Sequence, residues 1–298
     1  MISAQSVKMK LKSQANRDGT TMQNKLITYA LERTIYRISV STYSNRFTLK
    51  GGIFLYAIFD KNFSRATLDI DLLAQNITSD INSIQSVFTE ILSIEVYDAL
   101  FFDLSSLYIT SITEFKEYHG INISITTFLE KTKIPVSIDI GFDDVIHPER
   151  VLMDFPVLLD MDTPKIYAYS IYSVIAEKFE AFVSIGLINS RYKDYYDIYI
   201  IANKFNLNGH LLKEAIIETF NHRNTQLNDI ATFDENFISD SMQNKRWNAF
   251  IKKKKAIENI FFAEAMNIIM KLLMPVVQSI YNNKAFNKNW IAENKNWI

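Results

Sequence analysis

Two glycines followed by two alternating aspartates constrain this chain more than any other feature. Residues 47–71 read FTLKGGIFLYAIFDKNFSRATLDID. Phe47, Thr48 and Leu49 look like the end of a strand, and Gly51-Gly52 forms a turn at which backbone can approach a bound phosphate. Residues 53–59 then start a helix whose free N–H groups face that phosphate. After a polar turn at 60–64, residues 67–73 predict a second strand. Side chains two apart on a strand share a face, so Asp69 and Asp71 stand side by side while Ile70 and Leu72 enter the core. Adjacent carboxylates repel unless a cation sits between them, and an all-oxygen donor set suits Mg²⁺ or Mn²⁺. A lone Asp-x-Asp reads equally well as a polar strand face; the Gly-Gly turn one helix upstream is what makes the pattern specific.

At 298 residues the chain is long enough for two coupled halves. A hydrophobic share of 48% against 22% charged residues excludes global disorder. The net charge of −1 provides no overall field for nucleic acid or an anionic membrane, so a polyanion site has to be a local basic patch. With no cysteine there is no disulfide, thiolate nucleophile or zinc–thiolate site. The opening MISAQSVKMKLKSQANRDG lacks the apolar stretch of an export signal, and no window reaches the roughly 20 apolar residues of a bilayer span. The expectation is a cytoplasmic protein with no membrane partner.

In chain order, residues 19–43 predict a helix capped by Asp18, with Leu26, Ile27, Ala30, Leu31, Ile35 and Ile38 near a 3.6 period. Residues 78–94 predict another, begun by Thr78, Ser79 or Asp80. Between 99 and 140, LFFDLSSLYITSI, INISITTFL and IPVSIDIG predict three strands, with turns at 118–120 and 131–133. In the third, Val136, Ile138 and Ile140 share one face and Ser137 and Asp139 the other. Asp139 is then either a third carboxylate for the same cation or an exposed strand-end acid. Residues 147–169 hold three of the five prolines and read as the connection between the halves. From Ser170 the pattern is helical to the end, with helices at 171–185, 192–204, 209–220, 241–254 and 257–281, the last interrupted near Pro275. The lysine run 252–255 beside Trp247 and Phe250 reads as a solvated helix face, with RNA contact as the alternative.

A second constellation lies in AEKFEAFVSIGLINSRYKDYYD, residues 176–197. Lys178 sits on a mostly apolar helix and needs a carboxylate or phosphate to offset its desolvation. Asp194 and Asp197 are three apart on the next helix and share a face. One reading is an internal ion pair, Lys178 with Asp194. The other keeps that pair and adds a substrate whose charge Lys178 and Arg191 or Lys193 neutralise.

Taken together, LKGGIFLYAIF, RATLDIDLL, IPVSIDIGFDD and VIAEKFEAFVSIGLINSRYKDYYDIY resemble the AbiEii/AbiGii toxin family of the nucleotidyltransferase superfamily, whose signature is hG[G/S] followed by Dh[D/E]h. The resemblance implies an α/β (α+β) fold: a nucleotidyltransferase core with mixed sheet, flanking helices and N-terminal helix over residues 1–160, then a helical domain over 161–298. It implies Mg²⁺-dependent transfer of a nucleotide from an NTP to an acceptor, an RNA such as a tRNA 3′ end, in a toxin–antitoxin or abortive-infection system with a cognate antitoxin. Carried over by motif, Gly51 and Gly52 match the glycine element, Asp69 and Asp71 the metal pair with Asp139 as third acid, Lys178 the second-motif lysine, and Lys193, Asp194 and Asp197 the KDxxD motif. Nucleotide binding then falls to Gly51, Gly52, Lys178, Arg191 and Lys193, catalysis to the three acids with Lys178 and Asp194, and support to Asp197. The chain departs from the pattern twice: the serine common after the first glycine is Gly52, and a basic residue often found five positions after the lysine is Val183. Two alternatives share most of these motifs: a nucleotidyltransferase acting on a small molecule or protein, and a catalytically silent interaction module.

Overall fold

The computed structural model describes residues 2–60, 67–113, 119–188, 190–227, 230–252 and 260–298. The expected turn residues 61–64, Tyr118 and lysines 253–255 lie outside that set. The chain divides into two compact units, residues 1–144 with 150–169, and residues 145–149 with 170–298.

In the first unit, α1 (Ala4–Arg17) and α2 (Met22–Val40) precede β1 (Phe47–Lys50), α3 (Gly51–Ile58), β2 (Ile70–Ala74) and α4 (Ile81–Leu92). Three long strands follow, β3 (Leu100–Thr113), β4 (His119–Leu129) and β5 (Thr132–Phe142), then the short β6 (Val151–Asp154) and β7 (Lys165–Ala168). They make one mixed sheet in the order β3-β4-β5-β2-β1-β7-β6. β2 runs parallel to β5 and β1 parallel to β7, while the other neighbours are antiparallel.

One sheet face is apolar by strict alternation. Leu49, Ile70, Leu72, Ile123, Ile125, Val136, Ile138 and Ile140 are all buried, as are Leu31, Ile35 and Ile38 of α2 and Ile84, Phe88 and Ile91 of α4. Period two on the strands and period 3.6 on the helices thus produce two matching apolar surfaces. Phe47 meets Phe88 edge-on with ring centroids 5.4 Å apart.

Three local readings of the sequence need correction here. The first helix, α1, was not expected: its stripe of Val7, Leu11 and Ala15 is narrow and set among lysine, serine and glutamine. Asp18 closes α1, its backbone N–H bonding Gln14 O, while Thr21 caps α2 through its side chain. The proline-bearing segment is more than a connection, because it supplies β6 and β7 and so completes the sheet beyond β1. Strands of four residues are too short to register a period.

α2 also carries buried charge. Arg37 bonds Asp98 at 2.6 Å, Arg33 Nε lies 3.5 Å from the same carboxylate, and Glu32 Oε2 accepts the Leu158 N–H at 2.6 Å. These side chains tie α2 to the segments on either side of it.

The second unit contains α5 (Ile171–Ile185), α6 (Tyr192–Lys204), α7 (Gly209–His222), α8 (Glu235–Ser239), α9 (Ser241–Lys252) and α10 (Phe262–Tyr281). Its centre is aromatic: Phe182 stacks on Tyr195 at 4.1 Å, and Phe262 meets Tyr195 and Trp247 at 5.7 and 5.3 Å. α10 runs through Pro275 without a break, held by buried Leu272, Leu273, Val276 and Val277 on either side. It is long and apolar enough to cross a membrane by length and composition, a match the interrupting Glu264 and Lys271 obscure in sequence; half of that window is buried in this unit. Nor is the chain helical to its end. β9 (Asn289–Ile291) and β10 (Asn296–Trp297) form a small sheet with β8 (Leu207–Asn208). It is held by Trp290 Nε1 donating to Ala202 O and Trp297 Nε1 to Leu272 O.

Replacing Arg37 by Met strands Asp98 without its strongest partner in an apolar setting. The expected loss is about 3–5 kcal/mol of unfolding free energy, read by urea denaturation. A change below about 1 kcal/mol would show that α2 is not anchored by this pair.

Candidate functional site

The Gly51 position explains how α3 and β2 meet. Gly51 has φ +62°, in the left-handed region that favours glycine, and a Cβ there would lie 1.9 Å from Asp71 Oδ2. The helix begins at Gly51 itself, with Lys50 in the preceding cap position. Gly52 N–H donates to Asp71 Oδ2 at 3.1 Å. The glycine pair therefore first accommodates the Asp71 carboxylate, and the amide that the sequence reading offers to a phosphate is already engaged.

Asp69 lies in a bend one residue ahead of β2, which starts at Ile70 rather than at Thr67. Asp139 comes from β5, directly opposite Asp71 in the parallel pairing. Asp69, Asp71 and Asp139 each bring a carboxylate oxygen to a group whose atoms all lie within 4.8 Å of one another. Burial, then the neighbouring Asp69, pushes the Asp71 carboxyl up to about 6, against the opposing pull of Lys50 and the Gly52 amide. A three-carboxylate, all-oxygen set is the chemistry of a hard divalent cation, so the residues present fit such an ion.

Two neighbours of this group escape a reading by motif. Lys50 pairs with Asp71 across β1 and β2, and its Nζ donates to Asp144 Oδ2 at 2.5 Å. Asn122 pairs with Asp139 across β4 and β5, and its Nδ2 donates to Asp139 Oδ1 at 2.6 Å and to Ser137 Oγ at 3.0 Å. Lys50 adjoins the glycines and could have been suspected from that alone. Asn122 becomes visible only once the strand register is known.

In the helical unit, Lys178 on α5 donates to Asp194 Oδ1 at 2.7 Å and lies 2.8 Å from Asp197 Oδ2, both on α6. Arg191 Nε stands 2.7 Å from Asp194 Oδ2, and Lys193 is exposed. Burial alone would raise the Asp194 carboxyl; Lys178 and then Arg191 outweigh it and hold the group below the usual carboxylate range. The internal ion pair is therefore present, and it is a triple in which one lysine serves two buried acids.

Comparison with known proteins places this geometry in context. A family model described as "Nucleotidyl transferase AbiEii toxin, Type IV TA system" matches residues 33–263. Among solved structures, a candidate nucleotidyltransferase from H. pylori shares 13% identity, covers 86% of this chain and 96% of its own, and superposes with a TM-score of 0.50. The Helicobacter pylori protein JHP933 also shares 13% identity at a TM-score of 0.50, with 88% and 95% covered. At that identity the likeness is one of fold. No curated protein matches the chain.

Two outcomes follow from the charges. Asp71 holds its proton more readily folded than unfolded, so its contribution to stability is present below its ordinary value of 3.8 and lost as pH rises through about 6. A divalent cation competes with that proton. Millimolar MgCl₂ should therefore raise Tm more at pH 8 than at pH 5 in calorimetry; an equal rise would separate the ion from Asp71. Separately, Lys178→Met leaves two buried carboxylates uncompensated and should cost about 3–5 kcal/mol in urea denaturation. Near-neutral behaviour would mean that this triple does not hold α5 to α6.

Proposed function

This chain belongs to the AbiEii family of nucleotidyl transferase toxins of type IV toxin–antitoxin systems, and on that premise we propose that it moves a nucleotide from an NTP to an RNA acceptor such as a tRNA 3′ end. The observation that carries this reading is the convergence of Asp69, Asp71 and Asp139 within 4.8 Å of one another, beside Gly51. Asp69, Asp71 and Asp139 would hold a divalent cation, Mg²⁺ or Mn²⁺, which would supply charge neutralisation for the triphosphate and its leaving group. An acceptor hydroxyl oxygen bonds to the α-phosphorus as the bond from that phosphorus to the β-bridging oxygen breaks, and pyrophosphate departs. The hydroxyl proton passes to Asp139, whose carboxylate Asn122 orients. Lys50 adds positive charge next to Asp71 and is itself positioned by Asp144.

The family also implies a cognate antitoxin as partner, and Lys178, Arg191 and Lys193 are the contacts we propose for the triphosphate. A cytoplasmic setting accords with RNA as acceptor.

The test incubates purified protein with each labelled NTP and total tRNA. Wild type is expected to label RNA. Asp69→Ala should lose about a hundredfold or more of the rate, since a bound metal contributes several kcal/mol of transition-state stabilisation. Chelation of divalent ions should abolish labelling by wild type. Equal incorporation by wild type and Asp69→Ala would overturn the assignment.

A further inference from the structure

The face of the sheet that carries the acids extends well beyond them. Because paired residues share a face, the register sets out rows across β5, β4 and β3. The first is Asp139, Asn122 and Thr110, and the second is Ser137, Ser124 and Tyr108. At the far end Lys133, Phe128 and Phe101 form another. From Asp139 to Lys133 is about 20 Å along the strand at roughly 3.3 Å per residue.

The opposite face of these strands is closed: Ile123, Ile125, Val136 and Ile138 are all buried. The acid-bearing face is open, and it keeps Phe101 and Tyr108 each 65% exposed. Large rings held in water by a rigid strand are costly unless something lies on them. Here they are interleaved with hydroxyls, an amide and the Asp103 carboxylate of the row Pro135, Thr126 and Asp103, and they end at a lysine. Rings for stacking, small polar groups for base edges and one cation suit an unpaired nucleic-acid strand. A duplex offers no base face to these rings. The surface is also continuous with Asp139, so a strand lying on it ends at the acids.

We propose that this open face of β3, β4 and β5 is the binding platform for a single-stranded RNA end, with Phe101 and Tyr108 as stacking residues and Lys133 as a backbone contact. The inference rests on the transferase reading for its choice of RNA. It is tested without chemistry, by fluorescence anisotropy of a labelled single-stranded RNA oligomer with the full chain, in the absence of NTP and divalent metal.

Wild type should bind the oligomer. The double variant Phe101→Ala/Tyr108→Ala should bind about tenfold or more weakly, as loss of stacked bases requires. Both positions are exposed, so the fold is retained, which a thermal melt checks. Lys133→Ala should lower the slope of log affinity against log salt by about 0.7, one single-strand phosphate. Wild-type affinity in the double variant, equally tight duplex binding, or no RNA binding by wild type would overturn the platform. So would loss of self-association in the double variant with RNA binding intact, which would make a second copy the occupant. Binding as expected with no nucleotide transfer by wild type would instead remove the transferase reading and leave the platform standing.

Discussion

The insertion of the Asp71 carboxylate against the start of α3 is the contact on which the rest of the acid site depends. It needs three things at once: a residue without Cβ at Gly51, a left-handed φ there, and an amide at Gly52 aimed at the oxygen. Given these, β1 and β2 must leave and approach the same point, with Lys50 opposite Asp71. The parallel pairing of β2 with β5 then places Asp139 next to Asp71 without any further constraint. One carboxylate–amide contact thus sets the position of one acid, and the sheet register sets the other.

Much of this was legible in the sequence because it is local. Alternation in IPVSIDIG separates Val136, Ile138 and Ile140 from Ser137 and Asp139, and a Gly-Gly before an apolar helix points to a close approach by something. What that something is could not be read. The approaching group is an aspartate side chain some twenty positions away in the sequence, whereas local reasoning supplied a phosphate. Register is likewise non-local, which is why Asn122 could not be linked to Asp139 from spacing. The same limit hid β6 and β7, whose four-residue length leaves no period, and the C-terminal hairpin, whose hold on the helices comes from two indole N–H groups bonding Ala202 and Leu272.

The two sheet faces also divide the work in a way that composition conceals. The apolar face spends its alternation on burial beneath α2 and α4, which leaves the alternate residues free of packing duty. On an ordinary two-layer sheet such residues would be charged. Here serine, threonine, asparagine and three aromatic rings share the face, with carboxylates clustered at one end and Asp103 between the rings.

Charge balance distinguishes the acid triad from two other buried ionic groups. Around α2, Arg33 and Arg37 stand against Glu32 and Asp98. In the helical unit, Lys178 and Arg191 stand against Asp194 and Asp197. Each of these is a matched set, and Asp194 is accordingly held in its ionised form. At the triad three carboxylates crowd together while the adjacent Lys50 is shared with Asp144, and burial, then the neighbouring Asp69, raises the Asp71 carboxyl to about 6. Among the described residues, folding has satisfied the first two groups from within the chain and left the third with negative charge in excess. An unbalanced carboxylate cluster costs stability, and the fold retains it where a glycine, a helix start and two strand ends have been brought together to hold it. That combination is the physical argument for proposing Asp69, Asp71 and Asp139 as the metal-holding group, whereas the balanced clusters are internal ion pairs first.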